Sequence, residues 1–275
     1  MRLVCPAPVA GTEARPTQKR GGAAVSGRLS GPIRNVGARR AVPQNTNMNE
    51  PTIEYRYSPR RKSIGLMVTT QGKVVVTLPR GATQESLARA LEKHRAWIER
   101  RVAERQAAWG QLKEGEAYFL GQPLRLTPVR GAPGAVSRNG NDLRVPLTDD
   151  ADLWPRLQAW YREQAFRLFQ ERVSHFAAHM GLKPGPVALK EWKRRWGECH
   201  PDGALKFNWR LIMCPLAVID YVVVHELAHL LVLGHNPRFW GQVAKVLPDY
   251  AARRRWLNRE GAPFLLWQPG IPPPG

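Results

Sequence analysis

Between Val224 and His229 the chain reads Val-His-Glu-Leu-Ala-His, which puts His225, Glu226 and His229 in a His-Glu-x-x-His arrangement. On an α-helix at 100° per residue, His225 and His229 fall about 40° apart on one face, one turn from each other. Two imidazoles so placed share one ion at about 2.0–2.1 Å each. Glu226 falls roughly 60° beyond His229, on the flank of that face, where it can take a proton without ligating the ion. A third ligand is expected from His235, six residues after His229 and directly after Gly234. A helix that ends at Gly234 in a left-handed turn would return His235 to the open side of the ion. Three histidines plus one water make the open coordination of a catalytic zinc, with one ion per chain. Such an ion makes its water acidic enough for Glu226 to deprotonate, and the product attacks an electrophilic carbon or phosphorus. The chemistry that follows is hydrolysis. A closed structural zinc site would leave Glu226 without a task.

Other residues near this motif invite substrate roles. The run Lys193-Arg194-Arg195-Trp196-Gly197-Glu198-Cys199-His200 crowds cations, an indole and two further ligand types together. It reads as a substrate-binding turn, as a second metal site using Cys199 and His200, or as a basic turn that packs Trp196 on the core. From Leu205 to Met213, apolar Leu205, Phe207, Trp209 and Leu211 alternate with Lys206, Asn208 and Arg210. A strand here would bury one face and offer Asn208 and Arg210 to a substrate, or would be amphipathic simply because it is half-buried. Asp220 and Asp249 are candidates to orient a ligand histidine from behind, with helix-start and capping roles as the alternative. His94, His175 and His179 sit in helical patterns and read as packing or surface residues.

The elements that must position these groups suggest an α+β fold. Pro215 and the apolar Val222, Val223, Leu227, Leu230 and Leu231 mark a buried helix around the motif. Two strands are expected before it, near 187–192 and 204–212. A long helix is expected from about Asp152 to Met180, stopped by Gly181. Upstream, Ile64–Thr69 and Lys73–Leu78 flank a Gln71-Gly72 hairpin turn. Thr83 to Ala108 then follows one helical period with Thr83 as N-cap. Short strands are expected at 117–120, 123–129, 134–138 and 142–146. The chain thus divides into a disordered basic tail (1–48), a β-rich region (49–147), a metal-binding region (148–260) and a Pro/Gly-rich extended arm (261–275).

Composition narrows the class. The chain has 275 residues, enough for a sizeable core, and no apolar run long enough to span a membrane. Three cysteines are too few for a disulfide framework and fit the reducing cytoplasm. The net charge is +20, with eight Lys/Arg against two Glu in residues 1–50. Phosphate-rich partners are compatible with that charge, but the cations are scattered rather than gathered in one stripe, so nucleic acid is not the favoured partner. Oligomeric state is not legible.

The runs Arg195-Trp196-Gly197-Glu198-Cys199, Gly203-Ala204-Leu205 and Asn208-Trp209-Arg210-Leu211-Ile212 carry a resemblance. So do Pro215, Ile219 to Leu230 around the histidine motif, His235, and Phe239-Trp240. Arg60-Arg61, Gly72-Lys73-Val74, Trp97-Ile98, Leu120-Gly121 and Trp160-Tyr161-Arg162 agree with it. Together they resemble the YgjP-like metallopeptidase family over about 52–258, departing at Glu198 and His200, where the family usually has small polar residues. The resemblance implies a zincin-like, SprT-related fold, with zinc on the three histidines and Glu226 catalytic. It leaves the substrate open, since one branch of the family is described as a UTP pyrophosphatase. Three readings follow: a zinc peptidase acting on peptides or proteins, a nucleotide pyrophosphatase with Arg194, Arg195, Lys206 or Arg210 as phosphate clamps, and a DNA-associated SprT-like protein.

Overall fold

The structure is a computed structural model that describes residues 53–269 together with the backbone of Arg2–Val4. Among the described residues it contains three small sheets and six α-helices, an α+β arrangement. Arg2–Val4 forms β1. This differs from the expectation of a structureless 1–48, the remainder of which lies outside the described residues.

The first packing unit is β2 (Ile53–Tyr57), β3 (Gly65–Val68) and β4 (Val74–Leu78), in the order β2-β4-β3. Gly72, at φ 79°, makes the β3–β4 turn that the sequence signals. β2 runs parallel to β4. The helical period after Thr83 is split. Thr83 caps α1 (Gln84–Lys93) in a reciprocal capping box with Ser86, and the chain breaks at His94 before α2 (Arg95–Gly110). Val74, Val76 and Leu78 pack on Ile98 and Val102 as a cluster of their own.

The second sheet holds β5 (Glu116–Phe119), β6 (Gln122–Arg130), β7 (Ser137–Asn139) and β8 (Asp142–Leu147), in the order β5-β6-β8-β7. The strands fall where their alternation puts them, yet β6 pairs with β8 in parallel, which no turn signal announces. α3 (Leu153–Met180) ends at Gly181 in the left-handed region, φ 66°. Its buried stripe of Leu157, Tyr161, Ala165, Phe169, Val173 and Phe176 lies between this sheet and the metal-binding elements. One apolar cluster therefore runs from Ala117 to Trp267, across the expected boundary at 147. It takes in Phe264, Leu265 and Trp267, so the expected extended arm is docked into the core as far as Trp267.

The third sheet frames the site. It comprises β9 (Val187–Lys190), β10 (Arg195–Cys199) and β11 (Leu205–Asn208), in the order β1-β10-β11-β9. β11 stops earlier than the alternation predicts. The Asn208 side chain accepts from the Arg210 N–H and starts a 3-10 turn over Trp209–Met213, which turns Arg210 inward. Next comes α4 (Leu216–Ala228), apolar all round and buried from Val218 to Ala228. The β5–β6 turn braces its start: the Leu120 and Gly121 N–H groups donate to the Ile212 and Met213 carbonyls, and a Cβ on Gly121 would meet Pro215 at 2.8 Å. Finally α5 (Pro237–Val246) and α6 (Tyr250–Glu260) cover the other side of α4.

Candidate metal centre

α4 presents His225 and Glu226 in its last turn and ends at His229, five residues before Gly234. The N–H groups of His229, Leu230 and Leu231 bond back three residues, tightening the chain out of the helix. Gly234 is not in the left-handed region, so the expected glycine cap is not what returns His235. The start of α5 does that. Asn236 caps that helix by accepting from the Phe239 N–H, Pro237 occupies its first turn, and Trp240 Nε1 donates to the His235 carbonyl at 3.1 Å.

The three imidazoles make a nearly equilateral triangle, with ring centroids 4.9, 4.8 and 4.8 Å apart. Their ligand atoms all lie within 4.8 Å of one another, and among the described residues no other group of three His, Cys, Asp or Glu does so. His225 Nε2 and His235 Nε2 are 2.9 Å apart, close to the ~3.3 Å that separates two nitrogens on one tetrahedral ion. His229 Nδ1 faces the Val232 carbonyl at 3.1 Å. A carbonyl only accepts, so the proton sits on Nδ1 and the lone pair of Nε2 is left for a metal. That Nε2 is buried and has no hydrogen-bond partner.

Five of the seven buried side-chain polar atoms without a partner among the described residues belong to this site. They are His225 Nδ1, His229 Nε2, both Glu226 oxygens and the Tyr221 hydroxyl. Buried polar atoms are rarely left so, and a metal ion with its water would relieve His229 Nε2 and the Glu226 carboxylate. The donor set therefore fits a divalent cation.

The electrostatics agree. Burial lowers the pKa of His225 well below the ordinary value, with His229, His235 and Arg254 adding to it. Burial takes His229 down to about 4. His235 is lowered by burial and by Arg254. All three stay neutral at pH 7, so a cation need not displace protons from them. Burial raises Glu226 well above the carboxylate range. The Cys199 backbone N–H acts in the opposite direction, by less. Phe239 packs on all three histidines at 4.5–4.9 Å and fixes their rings.

β10 lies directly over Glu226. A Cβ on Gly197 would stand 2.5 Å from Glu226 Oε1 and 2.8 Å from its Cγ, so only glycine lets the strand approach this closely. Register places the backbone of Leu3 opposite Gly197 on the outer side of the strand.

The other expected site residues are placed differently. Trp196 is fully buried in the core. Asn208 is buried and donates to the Trp192 and Arg195 carbonyls. Arg210 is also buried, bonded to Glu191 at 2.7 Å and lying over the Trp209 ring at 4.3 Å. These three side chains hold the β9–β11 region together and offer no face to a substrate. Arg195 alone of that set is half-exposed; it bonds Glu198 at 2.7 Å, and its charge reaches Glu226. Asp220, expected behind a ligand histidine, instead pairs with Arg172 through both oxygens at 2.6 and 2.9 Å, fastening α4 to α3. Asp249 pairs with Arg253. Cys199 is buried while His200 is turned to solvent against Asp202, so the two do not form a second metal site.

Three features of the centre escaped the sequence. One is the Gly197 approach, visible only as a glycine beside a buried tryptophan. The others are the Tyr221 hydroxyl, one turn before His225 but readable as core, and Arg254, whose 3.6-residue neighbours give no hint of the histidines.

No curated protein and no solved structure matches the chain. A family model described as a YgjP-like, metallopeptidase domain matches residues 62–260; with the histidine triangle and Glu226 inside that span, the chain belongs to the YgjP-like metallopeptidase family.

Proposed function

We propose that this protein is a zinc-dependent metallopeptidase with a zincin-like site, in which His225, His229 and His235 hold the ion and Glu226 is the general base. The observation that carries the reading is the convergence of three imidazoles, with ligand atoms within 4.8 Å of one another, beside the fully buried Glu226 carboxylate. The triad favours zinc over harder cations because imidazole nitrogen suits it and no oxygen ligand joins the set. When bound, the metal supplies Lewis acidity to a water and to the scissile carbonyl. Glu226 takes the proton from the attacking water and returns it to the leaving amine. Gly197 keeps the carboxylate in place from above, and Phe239 keeps the rings in place from the side.

Two of the cations that a nucleotide pyrophosphatase was expected to use as phosphate clamps are committed instead, Arg210 to Glu191 inside the core and Arg195 to Glu198. A DNA-associated role draws only on the +20 net charge. A cytoplasmic setting is proposed from the cysteine usage; no helix among the described residues is long and apolar enough to cross a membrane. The deciding experiment compares wild type with Glu226→Gln on casein and on the common nucleoside triphosphates, with zinc quantified in both. Casein cleavage lost in the variant at unchanged zinc content is the expected result. Nucleotide hydrolysis lost in the variant, with casein intact throughout, would overturn the peptidase reading.

A further inference from the structure

We infer that Arg254 is a substrate-binding residue of this centre, holding a carboxylate or phosphate oxygen of the substrate beside the histidine triangle. The inference rests on the hydrolase reading above and adds a substrate class to it: molecules that carry an anionic group close to the bond that is cut.

α6 places Arg254 at the rim of the site. Its guanidinium carbon lies 4.6 Å from the centroid of the Trp240 ring. Trp240 in turn stacks on His235 at 5.7 Å and 27°, and on Tyr250 at 5.3 Å and 14°. The indole is thus a wall shared by a metal-site histidine and a cation. Two other arginines of α6 are committed elsewhere, Arg253 to Asp249 and the Ala217 carbonyl and Arg259 to Glu260, and of the helix's arginines Arg254 alone lies over the Trp240 ring. Arg254 has no carboxylate partner among the described residues, and its side chain is exposed. Stacking on an indole fixes the plane of a guanidinium while leaving its N–H groups free to donate.

Through Trp240, Arg254 places a positive charge beside the triangle. A divalent ion on the three histidines would add two more positive charges there. A substrate anion resolves that imbalance. A second donor lies beside the same histidines: the Tyr221 ring meets His225 edge-on at 5.8 Å, and its buried hydroxyl has no hydrogen-bond partner among the described residues. A cation on a flat wall and an unpartnered hydroxyl, both beside the metal, make a built anion subsite.

The test uses the zinc-loaded protein as wild type, Arg254→Met and Arg254→Lys. Inorganic phosphate is titrated into each and followed by calorimetry, a readout independent of turnover. Hydrolysis is then measured on matched N-blocked peptides with a free or amidated C-terminus, on amidated peptides with Asp or Asn flanking the bond, and on nucleoside triphosphates. We expect Arg254→Met to weaken phosphate by about tenfold or more. Arg254→Lys should recover part of it. KM for the anionic substrate should rise with kcat within about threefold, and its advantage over the neutral analogue should vanish. The substrate arm that shows the change identifies the anion as a terminal carboxylate, an acidic side chain or a phosphate. If no peptide is cleaved while phosphate affinity still falls in Arg254→Met, the peptidase reading fails and the subsite stands. Unchanged phosphate affinity in Arg254→Met would overturn the subsite, whatever the substrate assays show.

Discussion

Replacing Gly197 by alanine tests the geometry of the base directly. The backbone at 197 is outside the left-handed region, so alanine is conformationally permitted there and only contact opposes it. The added Cβ would lie 2.5 Å from Glu226 Oε1, 2.8 Å from Cγ and 2.9 Å from Cδ. Ordinary contacts begin near 3.4 Å, so something must move by roughly half an ångström to one ångström. The carboxylate end is the softer side, because β10 is paired on both edges, with β1 and with β11. Overpacking of this size costs about 1–3 kcal/mol. Alanine's smaller entropy loss returns about 0.5–1 kcal/mol, which leaves a net loss of about 0–2.5 kcal/mol and a melting shift of at most about 10 °C. Catalysis should suffer far more, since a displacement near 1 Å in a reacting group costs about a hundredfold. The histidines are not touched, so zinc stoichiometry should hold. The assay pairs calorimetric melting and zinc content with kcat/KM on a fluorogenic peptide. Gly110→Ala serves as control, because a Cβ there meets nothing within 4 Å and should be neutral or slightly stabilising. If Gly197→Ala keeps kcat/KM within about threefold and loses zinc instead, the account of Gly197 as the residue that positions Glu226 is refuted.

Three further outcomes follow from the same geometry. His235→Ala should lower zinc affinity by about a hundredfold or more while the fold survives, because His235 is exposed and the metal loses one of three protein ligands; full zinc retention after dialysis against a mild chelator would remove His235 from the set. Arg172→Met leaves Asp220 buried without its partner and should cost about 2–4 kcal/mol in denaturant unfolding with KM unchanged; a loss of activity at unchanged stability would instead return Asp220 to a role behind the histidines. Metal-free Glu226→Gln should lose stability as pH falls from 6.5 toward 4, because the unfolded chain takes up a proton that folded His229, at about 4, refuses. His229 alone accounts for up to about 3 kcal/mol of that loss. The Gln variant is used because Glu226, with its raised pKa, contributes in the opposite sense: its stability is present at low pH and fades as pH rises. A flat melting profile between pH 7 and 5 would contradict the neutral-histidine site.

How far this centre was legible depends on the sequence distance over which each part is fixed. His225, Glu226 and His229 are set by helical period within one turn, and the buried run from Val218 to Ala228 secures that helix. His235 was legible as a ligand, but its route was not. The glycine drew attention, while the working signal was the Asn236-Pro237 helix start that follows it. Arg210 was misplaced because alternation from Leu205 onward looks the same in a strand and in a strand that breaks into a 3-10 turn. Only the Asn208 side chain, bonding forward to the Arg210 amide, separates the two. The parallel pairings of β2 with β4 and β6 with β8 left no trace, since nothing in a turn encodes a partner reached by a crossover. The docked Phe264 and Trp267 were hidden by the prolines and glycines around them.

The same division separates the metal from the substrate. The proposed ligands sit on one helix and its exit and can be read locally. The groups proposed to position the base and meet a substrate come from β10 and α6, elements joined to α4 only by packing. Gly197 lies 29 residues before Glu226, and Arg254 lies 19 residues after His235; neither spacing has a period that would flag it. A residue at such a distance betrays its role only through a steric or electrostatic conflict in the folded chain. At Gly197 the conflict is a missing Cβ that would collide with the base. At Arg254 it is a cation without a carboxylate partner among the described residues, stacked on the indole that also covers His235.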